Sequence, residues 1–130
     1  NVILVRQYRK AVEKVLLEVP AGGIRVGENS EQAALRELQE ETGYVADELE
    51  LLSFFWTTPG FTTEGMSAYM ATGLTPGCVN QDEDENIEVV MVPLQDVNEM
   101  MTSGIIQDGK SIAALTLVLL RNRINTVDKE

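Results

Sequence analysis

The sequence predicts a mixed α/β (α+β) fold in one domain spanning residues 1–130. Three observations lead there. Short apolar runs of strand length alternate along the chain with stretches of helix length, so strands and helices share one core. Hydrophobic residues make up 44% of the chain, enough to fill that core. The length of 130 residues suits one compact domain and is short for two.

The elements follow in order. Asn1 to Tyr8 reads as a buried strand built on the continuous run Val2, Ile3, Leu4 and Val5. Arg9 to Lys14 is a polar turn region, and Val15 to Val19 is a second strand. Pro20, Ala21, Gly22 and Gly23 break regular structure. A helix then spans Glu31 to Thr42, with Asn29 or Ser30 as its cap, Glu31 near the positive end of its dipole and Gly43 at its stop. Ala34, Leu35 and Leu38 are its expected packing stripe, and the other side is dense with charge. Glu50 to Thr57 reads as a strand, Thr58-Pro59-Gly60 as a turn and Met66 to Leu74 as the next strand. Thr75 to Asn86 is a polar, acidic loop. Ile87 to Val92 is a strand, Leu94 to Met101 a short helix, and Lys110 to Arg123 a last helix with Ile112, Leu115, Leu119 and Leu120 as its core face.

Charge and absences narrow the chemistry. Against 10 Lys and Arg stand 21 Asp and Glu, a formal net charge of −11. Such a chain repels a phosphate backbone at long range, which argues against a nucleic-acid partner. If it handles phosphates, cations must stand between its carboxylates and theirs, so bound metal is expected. The chain has no histidine, which removes Ser-His-Asp, Cys-His and His-ligated zinc chemistry. Its one cysteine, Cys78, permits no disulfide framework and reads as a small packing residue, with a reduced cytoplasmic setting as the expectation. No apolar run reaches membrane-spanning length and no signal peptide is visible, so no membrane partner is expected. The first residues already look like a strand, and a further segment is expected upstream of Asn1.

The informative segment runs from Gly22 to Tyr44: Gly22, five residues, Glu28, seven residues, then Arg36-Glu37-Leu38-Gln39-Glu40-Glu41-Thr42-Gly43-Tyr44. Glu37 and Glu41, four apart, share a helix face, and Glu40 lies beside them. Three carboxylates at that spacing repel one another unless something cationic sits between them. Arg36 can compensate Glu40 at i,i+4 but cannot neutralise the set. Clustered hard oxygen ligands suit Mg²⁺ or Mn²⁺, and magnesium, which keeps waters and binds substrate phosphates, needs only a few of them. A bare E-x-x-E-E would read as a solvated helix face. The whole pattern decides otherwise, because it resembles the Nudix box, G-x5-E-x7-R-E-U-x-E-E-x-G-U with U bulky and apolar. Every fixed position matches; Leu38 fills the first U, and Tyr44 fills the last, where an aliphatic is commoner.

The resemblance to Nudix hydrolases implies an α/β/α sandwich with a mixed β-sheet, the box forming a loop–helix–loop. It implies Glu37 and Glu41 as direct ligands of a divalent metal, Glu40 as a ligand or a partner behind them, and the Ala21 carbonyl as a further ligand. Glu40 and Glu41 thereby carry the catalytic work with the metal. Arg36 and Glu28 would hold the box together, and Gly22 would let the backbone come close to metal.

Flanking residues resemble the ADP-ribose pyrophosphatase branch. Thr58-Pro59-Gly60-Phe61-Thr62-Thr63-Glu64 is similar to its S-P-G-x-[ST]-x-E segment, with threonine in place of the common serine. There the Pro-Gly loop, here at Gly60, shapes the pocket, and the position of Glu64 accepts hydrogen bonds from ribose hydroxyls. Val5 to Arg9 and Leu17 to Gly22 resemble the same branch, in which an arginine at the place of Arg9 meets phosphate and Glu18 lies near substrate. In the acidic loop, Glu83-x-Glu85 is similar to a pair in which one glutamate, here Glu83, is the base for water and the other, Glu85, binds metal; four acids in a row leave that register open. Relatives also carry an N-terminal region that builds a homodimer and holds adenine. The implied reaction is Mg²⁺-dependent (or Mn²⁺-dependent) attack of water on the diphosphate of a nucleoside diphosphate sugar, giving AMP and ribose 5-phosphate from ADP-ribose. The alternatives are GDP-mannose or another nucleotide sugar, and a catalytically idle nucleotide sensor.

Overall fold

The computed structural model describes residues 1–77 and 86–127, the side chains of 125–127 excepted. The elements are β1 (Val2–Arg9), β2 (Lys14–Glu18), α1 (Ser30–Thr42), β3 (Tyr44–Trp56), β4 (Gly65–Pro76), β5 (Glu88–Val92), α2 (Leu94–Thr102) and α3 (Gly109–Val127).

β1 is the middle strand of a three-stranded sheet in the order β2-β1-β5. The short turn after Arg9 forces β2 back alongside it, with Val5 opposite Glu18 and Arg9 opposite Lys14. Glu13, in this turn, sits at φ 53° and donates its N–H to the Lys10 carbonyl at 3.2 Å. On the other edge Val2 pairs with Val92 and Arg6 with Glu88. Neighbours along a strand point to opposite faces, and Leu4 and Val5 are 0% and 1% exposed, so both faces of β1 are covered. Leu4 and Leu17 pack with Val92, Val97, Ile106 and Leu115, which places α2 and α3 on that face. α1 contacts β1, β3 and β4. The layered arrangement agrees with the expected sandwich. All strand pairings among the described residues are antiparallel, in two sheets, so a parallel pairing of the expected mixed sheet is not among them.

α1 begins where the sequence places it. Asn29 is the cap: its side chain accepts the Gln32 N–H at 2.9 Å while the Gln32 side chain accepts the Asn29 N–H at 3.0 Å. Gly43 closes it in the left-handed region at φ 78°, donating to the Gln39 carbonyl at 2.8 Å. The buried face is Ala33, Leu38, Glu41 and Thr42; Leu35, expected in the stripe, is exposed. The helix turns Glu41 inward because that carboxylate has a backbone N–H to meet, as described below.

Three further expectations change. β3 starts at Tyr44, not Glu50, because Tyr44 to Glu48 pair with β4 as a ribbon exposed along much of its length, where hydrophobic alternation is weak. β4 accordingly runs past Leu74 to Pro76, and the Gly77 N–H continues the ribbon to the Gly43 carbonyl at 2.7 Å. In α3, Ile112, Leu115 and Leu119 pack as expected, but Leu120, beside that stripe, is half exposed.

Candidate active site

The chain between β2 and α1 lies against the acidic side of α1. Glu41 is 4% exposed, and its Oε2 accepts the Ala21 N–H at 3.1 Å. One residue on, a side chain at Gly22 would meet the Glu37 carboxylate at 2.1 Å, so glycine is what lets backbone and carboxylate approach. Glu37 and Glu41 are thus lined up along residues 21–22, one helical turn apart.

Arg36 organises the rest. Its Nε and Nη2 donate to the two Glu28 oxygens at 2.7 and 3.0 Å, and Nη2 also reaches the Gly23 carbonyl at 2.8 Å. Nη1 donates to Glu37 at 2.8 Å and Glu40 at 3.0 Å. Arg25 stands 3.4 Å from Glu40, and its N–H reaches Glu28 at 2.8 Å. The hydrogen bond from Arg36 holds the Glu28 carboxyl below the usual glutamate range, and the same bond holds the Arg36 guanidinium above its ordinary value.

Among the described residues, no three metal-ligating side chains already surround one point. The donor set nevertheless fits a divalent cation of the magnesium type. It is all oxygen, it lies on one helix face, and it is held against a backbone that only a glycine lets come so close. Glu37, Glu40, Glu41 and the Ala21 carbonyl are the groups that would hold it. Glu83 and Glu85, expected to add a base and a ligand, lie outside the described residues.

A second charged cluster adjoins the first. Glu18, 1% exposed, takes a bidentate fork from Arg9, at 2.8 Å on each oxygen. Lys110 donates to the same Glu18 carboxylate and, at 2.8 Å, to Asp108. Asp108 accepts the Ser111 N–H at 3.1 Å and so caps α3; the Ser111 hydroxyl also donates to Asp108 and accepts the Val19 N–H at 2.9 Å. Burial pushes the Glu18 carboxyl up, but hydrogen bonds from Arg9 and Lys110 outweigh it and leave it below the usual range. Asp108 behaves likewise, burial being outweighed by Lys110 and Ser111. Arg9 is held above its ordinary value, first by the hydrogen bond to Glu18; the charge of Glu41 adds to this, so the two clusters share one field. Sequence reading missed Asp108, Lys110 and Ser111. Their available signal was the Asp-Gly-Lys-Ser cap at the start of a helix, which says nothing of a strand 92 residues away in sequence.

The third group closes on itself. Thr57 donates its N–H to the Glu64 carbonyl at 3.1 Å and its hydroxyl to the Glu64 carboxylate at 2.8 Å. Phe61 and Thr62 donate to the Thr58 carbonyl at 3.2 and 3.1 Å, making the Pro-Gly segment a hydrogen-bonded turn. A side chain at Gly60 would meet nothing within 4 Å, so the fold itself does not demand glycine there. The bonds that hold Glu64 lie within its own loop.

Comparison with known proteins follows the same lines. The NUDIX domain family model matches residues 1–115. The chain is 38% identical over 126 residues to an ADP-ribose pyrophosphatase of Bacillus subtilis (strain 168), covering 95% of this chain and 68% of that one. It is 34% identical over 124 residues to a GDP-mannose pyrophosphatase of Yersinia enterocolitica, covering 88% and 64%. A crystal structure of an ADP compounds hydrolase superposes with a TM-score of 0.86 at 29% identity, over 95% of this chain and 66% of that one. The chain therefore spans about two thirds of the length of these relatives.

Proposed function

The chain belongs to the Nudix hydrolase family, and on that premise we propose that it hydrolyses ADP-ribose to AMP and ribose 5-phosphate with Mg²⁺ as its metal. The observation that carries this reading is the placing of Glu37 and Glu41 against the Ala21–Gly22 backbone, with no room for a side chain at Gly22. The ADP-ribose branch is supported by Glu64, held by Thr57 behind the Pro-Gly turn, and by the Bacillus subtilis relative.

In this reading Glu37, Glu40, Glu41 and the Ala21 carbonyl hold Mg²⁺, and Mn²⁺ can substitute. When bound, the metal polarises phosphoryl oxygens and lowers the pKa of the attacking water. Arg36 and Glu28 keep α1 and residues 21–28 in register. Arg9, tethered to Glu18 but with its side chain 41% exposed, offers its remaining donors to a phosphate of the substrate. Glu64 accepts hydrogen bonds from the terminal ribose, while Gly60 shapes the rim of the pocket. Glu83 acts as the base and Glu85 adds a metal ligand. Residues 1–130 form one catalytic domain, working as a cytoplasmic homodimer.

The test is a panel of nucleoside diphosphate sugars with and without Mg²⁺, products separated by chromatography. AMP from ADP-ribose, only with metal, is the expected result. The Yersinia relative makes GDP-mannose the competitor to include. Cleavage of GDP-mannose alone would replace the substrate and keep the chemistry, and no cleavage of any member would leave a nucleotide sensor.

A further inference from the structure

We infer that Lys110 is a positioning residue for the reaction, acting through Glu18 to set the charge and orientation with which Arg9 meets substrate phosphate. The inference rests on the hydrolase reading above and goes beyond it, because Lys110 lies on α3, outside both the box and the Pro-Gly loop.

The geometry is a relay of four charged groups that ends at solvent. Side-chain exposure is 18% at Asp108, 16% at Lys110, 1% at Glu18 and 41% at Arg9. Asp108 anchors Lys110, Lys110 and Arg9 both donate to Glu18, and Arg9 is the member that opens outward. Two carboxylates and two cations leave the group neutral. Lys110 decides how that neutrality is shared. With Lys110 on Glu18, the buried carboxylate has two cations, and part of the Arg9 charge remains available to an incoming phosphate. Without Lys110, the Glu18 charge is balanced by Arg9 alone, and the forked guanidinium presents less positive potential to a phosphate. The same turn of α3 also fixes the exit of β2, since Ser111 receives the Val19 N–H two residues before Ala21. Lys110 thus belongs to a clamp on residues 18–19, next to the Ala21 N–H that Glu41 receives.

The test is a double-mutant cycle with Lys110→Met and Arg9→Met. It is read as kcat and KM for ADP-ribose with Mg²⁺ and as the Kd of its non-hydrolysable α,β-methylene analogue. Lys110→Met should raise KM and Kd about tenfold, the scale of coupling within one charge network, while kcat changes little. The double variant should bind no worse than Arg9→Met alone. Lys110→Arg should recover most of the loss. Thermal unfolding of each variant checks that the proteins compared are folded. Losses that multiply in the double variant, or a fall in kcat with KM unchanged, overturn the assignment. If Lys110→Met does not fold, Lys110→Gln with Arg9→Met supplies the cycle under the same two criteria. If the wild type cleaves GDP-mannose instead, the cycle is run on that substrate. A wild type that cleaves neither overturns the hydrolase reading, and a cleaving wild type without coupling overturns only the role of Lys110.

Discussion

Glutamates are packed under two different charge balances in this molecule. At the start of α3, Glu18 and Asp108 face Arg9 and Lys110, and the four charges cancel. On α1, Glu28, Glu37 and Glu40 share Arg36, with Arg25 at 3.4 Å from Glu40, and Glu41 adds a fourth carboxylate beside Ala21. The first cluster is balanced in charge and ties β1 and β2 to the start of α3. The second carries an acid surplus that a divalent cation would relieve. The same residue type therefore sits in a balanced cluster in one place and in an unbalanced one in the other, and the local count of cations separates them.

That contrast is most exposed to Glu41→Gln. It should fold normally and lose about a thousandfold or more in kcat with ADP-ribose, the scale of removing a group from a cooperating set. Turnover near the wild-type rate would erase the distinction between the two clusters. Gly22→Ala should follow at about a hundredfold loss, the effect of displacing a reacting group by about an ångström. The added methyl strikes the far end of the Glu37 side chain, which can swing away, so an unchanged unfolding midpoint is expected alongside the lost activity. Activity retained in Gly22→Ala would mean the close approach is not used.

On the structural side, Glu18→Gln leaves two cations around a buried neutral amide. It should cost about 3 kcal/mol in chemical denaturation, where Glu41→Gln costs little. Equal losses in the two variants would blunt the comparison. Glu64→Ala should act more weakly, raising KM about tenfold for ribose-bearing substrates, the scale of a lost hydrogen bond to a charged group. Equal loss across all diphosphates would assign Glu64 to the loop it bonds within.

The smallest effect is on pH. Glu18 has a folded pKa below its ordinary 4.5, so the unfolded chain takes up the proton first as pH falls. Its contribution to stability is complete above about pH 4.5 and is lost as the pH falls through the depressed folded value. Between about pH 4.5 and that depressed value the denaturation midpoint of the wild type should fall more steeply than that of Glu18→Gln. Parallel curves would show that Glu18 titrates alike in both states.

How much of this was legible in the sequence follows the range of each interaction. α1 was readable to within a residue because its cap and stop are local: Asn29 bonds Gln32 and Gly43 bonds Gln39. The box was readable because fixed spacing on a helix fixes which carboxylates share a face. The start of β3 was not, since Tyr44 to Glu48 are strand only by pairing with β4, some 24–32 residues further on by the register of Tyr44 with Pro76 and Glu48 with Thr72. Nor was the joining of Arg9 and Glu18 to Lys110, which reaches Glu18 across 92 residues of chain. Leu35 and Leu120 continue apolar patterns outward, where periodicity alone cannot tell the core from the rim.

The proposed function requires a divalent cation at the acid surplus on α1. The direct measurement is the rate of AMP release from ADP-ribose by the wild type as Mg²⁺ is titrated into metal-free protein. No release without metal and a saturable rise with it are expected. Release at the same rate in excess chelator would mean that the carboxylates of α1 do not work through metal.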